Sequence, residues 1–269
     1  MRIHSSAVIH PNAKIHSSVE IGPFCIVGEH VELAEGVRLI SHVCIEGYTK
    51  IGNNTIIYPF ASLGFPPQDL KYSGEKSYLE VGSNNVIREY VTMHPGTQSD
   101  NLKTIVGNNC LFMIGAHIAH DCQVGNHVIM ANNATLGGHV VVGDNAIIGG
   151  MSAVHQRVRI GKFAIIGGMS GIAEDVIPYG NAKGDRANLA GVNIIGMRRH
   201  GFNASEINEI NEAFVFLFES NREDTITSRT QIARKKYANN SAICDIVDFI
   251  DSSGNRGCCL PKNKKASNK

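Results

Sequence analysis

The chain has 269 residues, 43% hydrophobic and 18% charged with a net charge of +1, which suits one large or two modest domains and excludes a general polyelectrolyte role such as nucleic-acid binding. Its Met-Arg-Ile-His start has no apolar h-region and no apolar run reaches bilayer length, so neither export nor stable membrane insertion is expected. The seven cysteines form no C-x-x-C pair, which argues against a zinc or redox motif and for reduced thiols in a cytoplasmic protein. Gly 28 with Trp 0 and 6% aromatics point to a core of repeated small and aliphatic layers.

From Ile3 the sequence repeats every six residues: Ile-His-Ser-Ser-Ala-Val, Ile-His-Pro-Asn-Ala-Lys, Ile-His-Ser-Ser-Val-Glu, Ile-Gly-Pro-Phe-Cys-Ile. An aliphatic residue opens each hexad, and the fifth position is mostly Ala, Val, Cys or Thr. The pattern lapses over residues 69–80 and 99–105, restarts at Val106 one residue out of frame, and runs to Ile177, about 26 hexads in all. A period of six fits neither an amphipathic helix nor an alternating strand; it is the signature of a parallel β-helix. Three hexads make a triangular coil of 18 residues, so 26 hexads build eight to nine coils, a prism on the order of 40 Å long. The two lapses are read as loops that leave it. Most glycines and histidines on the repeat, among them His4, His10, His16 and His30, read as corner filling.

The prism is assigned residues 1–190. A helical domain is assigned 191–255, with a first helix carrying Ile207, Ile210, Ala213, Phe214 and Leu217 inward behind a Ser205 cap. A second helix is expected over 224–237, with Ile226, Ile232 and Ala233 inward, and a third over 241–252. The basic end, 256–269, reads as a disordered tail.

Chemistry concentrates in Phe112 to Gln123, where His117, His120 and Asp121 fall within five residues. A histidine beside a carboxylate suits proton abstraction near neutral pH. The coil length converts sequence distance into stacking: Gly138 lies 18 residues after His120, Gln156 lies 36 after it, and Asp121 falls under His139. His117, His120, Asp121, His139, His155 and Gln156 thereby converge on one strip, where the Gly138 N–H can donate to an oxyanion. His94, 26 residues before His120, is expected on a neighbouring edge or an adjoining subunit.

The hexads, with Gln68-Asp69-Leu70-Lys71-Tyr72-Ser73-Gly74-Glu75, Met93-His94-Pro95-Gly96-Thr97, the His117 to Cys122 segment, Ala131-Asn132-Asn133-Ala134-Thr135-Leu136, Ala153-Val154-His155-Gln156, Gly191-Val192-Asn193 and Arg198-Arg199, resemble the UDP-N-acetylglucosamine O-acyltransferases that open lipid A biosynthesis. The resemblance implies a left-handed parallel β-helix, contrary to the usual right-handed crossover, followed by a small α-helical domain, and a homotrimer with sites between prisms. It implies transfer of a 3-hydroxyacyl chain from acyl carrier protein to the glucosamine 3-hydroxyl of UDP-N-acetylglucosamine, with no acyl-enzyme, cofactor or metal. By resemblance His120 is the general base, Asp121 orients it and the Gly138 N–H holds the oxyanion. Gln68, Asp69, Leu70, Lys71, His94, His117, His139, His155, Gln156, Asn193 and Arg199 match positions that bind substrate or shape the cleft, Lys71 and Arg199 suiting the diphosphate by charge.

Ile195 stands where the family commonly has a glutamate, and His200 where a second arginine often follows, so the family's nucleotide contacts are not carried over at these two positions. Gly168 matches a position that measures acyl length and leaves the groove open to a longer chain, with Met169 and Arg186 placed to shorten it. Arg222, Arg229, Arg234, Lys235 and Lys236 are candidate contacts for an acidic carrier protein. Three alternatives stay open: acylation of a 3-amino sugar nucleotide by this or a related N-acyltransferase, a gamma-type zinc carbonic anhydrase using three histidines, and a purely structural solenoid.

Overall fold

The computed structural model describes residues 2–218, 224–252, 254 and 256–262. Twenty-six strands of two to four residues run from Arg2–Ile3 to Gly171–Ile172, and each pairs in parallel with the strand one coil away. Successive strands belong to a first, second and third sheet in turn, starting with Arg2–Ile3, Val8–Ile9 and Lys14–Ile15, so the chain winds into a three-sided parallel β-helix. The hexad dictates this directly. Openers such as Ile21, Val27, Leu33 and Leu39, and fifth residues such as Val19, Cys25, Val31 and Val37, are all buried, stacking into ladders along the axis. Each such aliphatic side chain contributes roughly 1.5–3 kcal/mol by burial. The residue before each opener faces outward, so Lys14, Glu32 and Lys50 stack as alternating charges, with the two ammonium groups 3.0 and 3.7 Å from the carboxylate.

Among the twenty-six strands, successive coils are 18 residues apart except at two places: Ser62 pairs with Thr92 and Thr92 with His117, separations of 30 and 25. The surplus over 18 equals the expected loop lengths, but the boundaries differ. Strands Tyr78–Val81 and Lys103–Val106 begin inside the expected loops 69–80 and 99–105, so the excursions occupy 64–77 and 94–102. Tyr78 and Lys103 carry no hexad signal because they extend their strands outward to reach Tyr48 and each other. Both excursions leave where the second sheet passes to the third, here called the second corner; the first corner joins the first and second sheets.

Beyond the prism the expected loop is a hairpin, Gly180–Lys183 with Asn188–Val192, which extends the first sheet through Ile165 and Asn181. Helix α1 (Ile194–Arg199) was not expected; Asn193 caps it. Helices α2 (Ala204–Phe218), α3 (Ile226–Lys236) and α4 (Ser241–Asp251) follow. Asn203, in place of Ser205, caps α2: its Oδ1 accepts from the Glu206 N–H at 3.0 Å, and Glu206 Oε2 accepts from the Asn203 N–H at 2.7 Å, a reciprocal capping box. Ala233 is buried as expected, but Ile232 is 46% exposed, and Thr230 turns inward beside Ala233 where α3 packs against α2 and α4. The tail also departs from expectation. Cys258 bridges to Asp175 and Pro261 to Leu189, and Cys259 is buried, so residues 256–261 strap the end of the prism; the rest of the expected tail, 263–269, lies outside the described residues. All seven thiols are free.

Candidate active site at one corner of the prism

The second corner stacks residues 119–122, 137–140 and 155–158 in three successive coils. Asp121, His139 and Arg157 occupy equivalent turn positions with φ of 60°, 62° and 64°. Left-handed backbone is uncommon for such side chains, and the tight corner imposes it.

His120 and Asp121 are 6% and 3% exposed. His120 Nδ1 lies 2.8 Å from Asp121 Oδ2. A carboxylate accepts, so the proton sits on Nδ1 and the lone pair on Nε2, the form a base requires. Asp121 is itself held from the second excursion, accepting from the Thr97 N–H at 2.9 Å and the Thr97 hydroxyl at 2.7 Å, while its own N–H donates to Thr104 Oγ1. Burial alone would raise the Asp121 carboxyl; the hydrogen bonds from His120 and Thr97 outweigh it and hold the pKa below the ordinary value. Gly138 lies against the imidazole: a Cβ there would meet His120 Cε1 at 2.5 Å and Nε2 at 2.6 Å. Among the described residues its N–H has no acceptor, as an oxyanion donor needs.

His94 and His117 stand beside this pair. The seven-residue surplus places His94 one coil below, its N–H donating to the Ile118 carbonyl at 3.0 Å, so it shares the edge and belongs to neither a neighbouring edge nor another subunit. The two rings meet edge to face with centroids 5.1 Å apart. His117 Nδ1 is 2.7 Å from Thr92 Oγ1, whereas His94 Nδ1 is buried with no partner among the described residues. Burial, then repulsion from His117 and His120, lowers the His94 pKa to about 4; burial followed by His120 lowers that of His117. His139 closes the other side, its ring 5.0 Å from that of His120 and at right angles to it.

A family described as Udp N-acetylglucosamine O-acyltransferase, domain 2, matches residues 175–259, and the bacterial transferase hexapeptide family matches 1–35 and 103–138. The acyl-[acyl-carrier-protein]–UDP-N-acetylglucosamine O-acyltransferase of Caulobacter vibrioides is 46% identical over 98% of this chain and 100% of its own length. That of Rickettsia prowazekii is 50% identical, covering 96% and 97%. A crystal structure of a UDP-N-acetylglucosamine acyltransferase, 41% identical, superposes with a TM-score of 0.93 over 98% of this chain and 100% of that one. The chain belongs to the acyl-[acyl-carrier-protein]–UDP-N-acetylglucosamine O-acyltransferase family. Its fold is the left-handed parallel β-helix of these acyltransferases.

The remaining residues suggested by this acyltransferase resemblance are dispersed. His155 and Gln156 lie two coils above His120 on the same corner. His155 lines a groove of about 630 Å³ with Ala153, Gly171, Glu174 and Arg186, and the Gln156 carbonyl accepts from Arg256 Nε at 3.0 Å. Gln68, Leu70 and Lys71 are exposed on the first excursion, where Asp69 Oδ1 accepts from the Lys71 N–H. Asn193 is committed to structure, its amide donating to the Phe163 carbonyl at 2.8 Å and its oxygen capping Gly196. Arg199 is exposed at the end of α1, and His200 bonds back to the Gly196 carbonyl. Gly168 and Met169 sit on the first corner, across the second sheet from His120. Among the basic residues, Arg234 is paired with Asp248 and Asp251, Lys236 lies over Tyr237, and Arg222 is outside the described residues.

Sequence reasoning missed Asp100 and Arg157. Asp100 Oδ2 accepts from His139 Nδ1 at 2.9 Å, and Arg157 reaches the same ring. Arg157 was available by arithmetic, 36 residues after Asp121. The Asp100 contact, made by an excursion outside the repeat, carried no such signal.

Proposed function

We propose that this acyltransferase works by direct, base-assisted attack at the second corner. It transfers a 3-hydroxyacyl chain from acyl carrier protein to the glucosamine 3-hydroxyl of UDP-N-acetylglucosamine, the first step of lipid A biosynthesis. His120 Nε2 takes the hydroxyl proton as the oxygen attacks the thioester carbonyl. The resulting oxyanion is received by the Gly138 N–H. Collapse breaks the carbon–sulfur bond, and the imidazolium returns its proton to the departing thiolate of the carrier arm. Asp121 stabilises the imidazolium and fixes its tautomer. The observation that carries this reading is the buried Asp121–His120 pair facing Gly138, since an imidazole with its Nδ1 proton bound to a carboxylate presents a free Nε2.

His94, with an unpartnered buried nitrogen, and neutral His117 line the acceptor side and suit hydroxyl recognition. Lys71 and Arg199 are assigned to the nucleotide. The family relationship does not favour a carbonic anhydrase, and the geometry gives a reason: His120, Asp121 and His139 approach within 4.8 Å, but the nearest ring nitrogens already serve carboxylates. Because Gly168 and Met169 stand on a different corner from His120, acyl measurement by them needs a second copy to lay its first corner against this site. A homotrimer in the cytoplasm fits that requirement. Among the described residues no helix is long and apolar enough to cross a membrane.

The test is an acyl-transfer assay with UDP-N-acetylglucosamine and its 3-amino analogue against 3-hydroxyacyl carrier proteins of several lengths. His120→Ala is expected to lower kcat by about 10²–10⁴ with the circular dichroism melt retained; activity near the parent's refutes the assignment, and preference for the amine reassigns the acceptor. His117→Ala is expected to retain measurable activity.

A further inference from the structure

We propose that Arg157 binds the diphosphate of the sugar nucleotide and that Asp100 positions it by acting through His139. The inference rests on reading the second corner as the acyl-transfer site. Arg157 Nη2 lies 3.3 Å from His139 Nε2. A guanidinium has no acceptor, so Nε2 must carry the lone pair and the His139 proton must sit on Nδ1. That proton is donated to Asp100 Oδ2 at 2.9 Å; Asp121 Oδ2, the other carboxylate oxygen facing it, is 3.9 Å away. Carboxylate, imidazole and guanidinium form one directed relay from the second excursion, through a side chain only 7% exposed, to the open face of the corner. The Asp100 carboxylate thereby selects the one neutral tautomer that can receive Arg157.

Arg157 itself is exposed and makes no ion pair among the described residues. Its N–H donates to the Gly138 carbonyl at 3.0 Å, which fixes its backbone one coil above the proposed oxyanion donor. A planar guanidinium anchored at one nitrogen still offers donors for a phosphate oxygen. Two phosphates exist in the reaction. The diphosphate is separated from the reacting 3-hydroxyl by the sugar ring alone, whereas the phosphate of the carrier's pantetheine arm is a whole chain away from the thioester. A cation one coil from the reacting atoms therefore matches the diphosphate.

The experiment pairs kinetics with ligand titration for Arg157→Gln, Arg157→Lys and Asp100→Asn in the full chain. Losing one charge-assisted contact is expected to raise the KM for UDP-N-acetylglucosamine and the Kd for UDP about tenfold, leaving the Kd for uridine and the KM for acyl carrier protein within about twofold. Arg157→Lys should recover part of the loss. Asp100→Asn should weaken UDP by about threefold and shift the His139 ring ¹⁵N signals away from the Nδ1-protonated tautomer. An unchanged ratio of UDP to uridine affinity in Arg157→Gln overturns the proposal, as does an effect confined to the carrier protein. His139 signals unmoved in Asp100→Asn overturn the relay. UDP titration needs no turnover, so its result is independent of whether His120→Ala abolishes transfer.

Discussion

One buried and one half-buried histidine at the site, His94 and His117, are kept neutral by their surroundings, and this has a consequence for acid stability. The His94 pKa falls from 6.5 to about 4, chiefly through burial. The unfolded chain therefore binds a proton at His94 between these values that the folded chain refuses, and stability falls as pH drops through that window. Its contribution is fully present above 6.5 and is lost as pH falls through 4. His117 acts in the same direction. His94→Gln, which keeps a polar side chain without a titrating ring, is expected to flatten the loss of melting temperature between pH 6.5 and 4.5; an identical slope in parent and variant would sink this account. His120, His139, His155 and Asp121 were legible because coil arithmetic puts them in register; His94 was misplaced, because the seven-residue surplus of the second excursion breaks the count of 18. Asn193 was legible as a residue with a role, yet its amide is engaged by Phe163 and Gly196, and such a cap is visible only once α1 exists.

At the scale of elements, both excursions leave one corner, and the second one supplies the hydrogen bonds that fix Asp121. Thr97 donates twice to that carboxylate, and Asp100 supports His139. Thr97→Val removes only the hydroxyl, so the Asp121 pKa should rise and the His120 imidazolium should lose support. A fall in kcat of about tenfold is expected from one lost hydrogen bond to a charged group. The acid limb of the kcat profile should also move. A Thr97→Val enzyme with parental kcat would show that the excursion merely covers the site. The hexads were readable because an inward aliphatic every six residues is a constraint of the coil itself. The hairpin at 180–192 and the inward turn of Thr230 in α3 were not, because each is set by its neighbours: Asn181 by Ile165, Thr230 by the bond its hydroxyl donates to Asp251 of α4 at 2.7 Å.

For the whole molecule, the repeat makes a rod with three long edges, and the edges differ. The first corner carries a row of exposed apolar residues: Phe24 at 57% exposure, Phe60 at 48%, Tyr90 at 58%, Met151 at 65% and Met169 at 74%. Phe24, His42, Phe60 and Tyr90 stack on one another at about 5 Å, each one coil above the last. An apolar row of this length along a monomer is what a contact surface provides. The second corner carries the titrating groups. Bringing one copy's first corner against another's second corner is a head-to-tail contact, which closes into a ring when the rotation permits. The proposed trimer, three copies with parallel axes, would satisfy this and leave each cleft with His120 from one chain and Gly168 from the next. Two substitutions on the exposed row, Phe60→Glu with Tyr90→Glu, should then lower the mass seen by light scattering from three chains to one. Activity should fall with the mass while the melting of isolated chains persists. A chain that is monomeric before substitution, or a double variant that stays trimeric and active, would remove the first corner from the site.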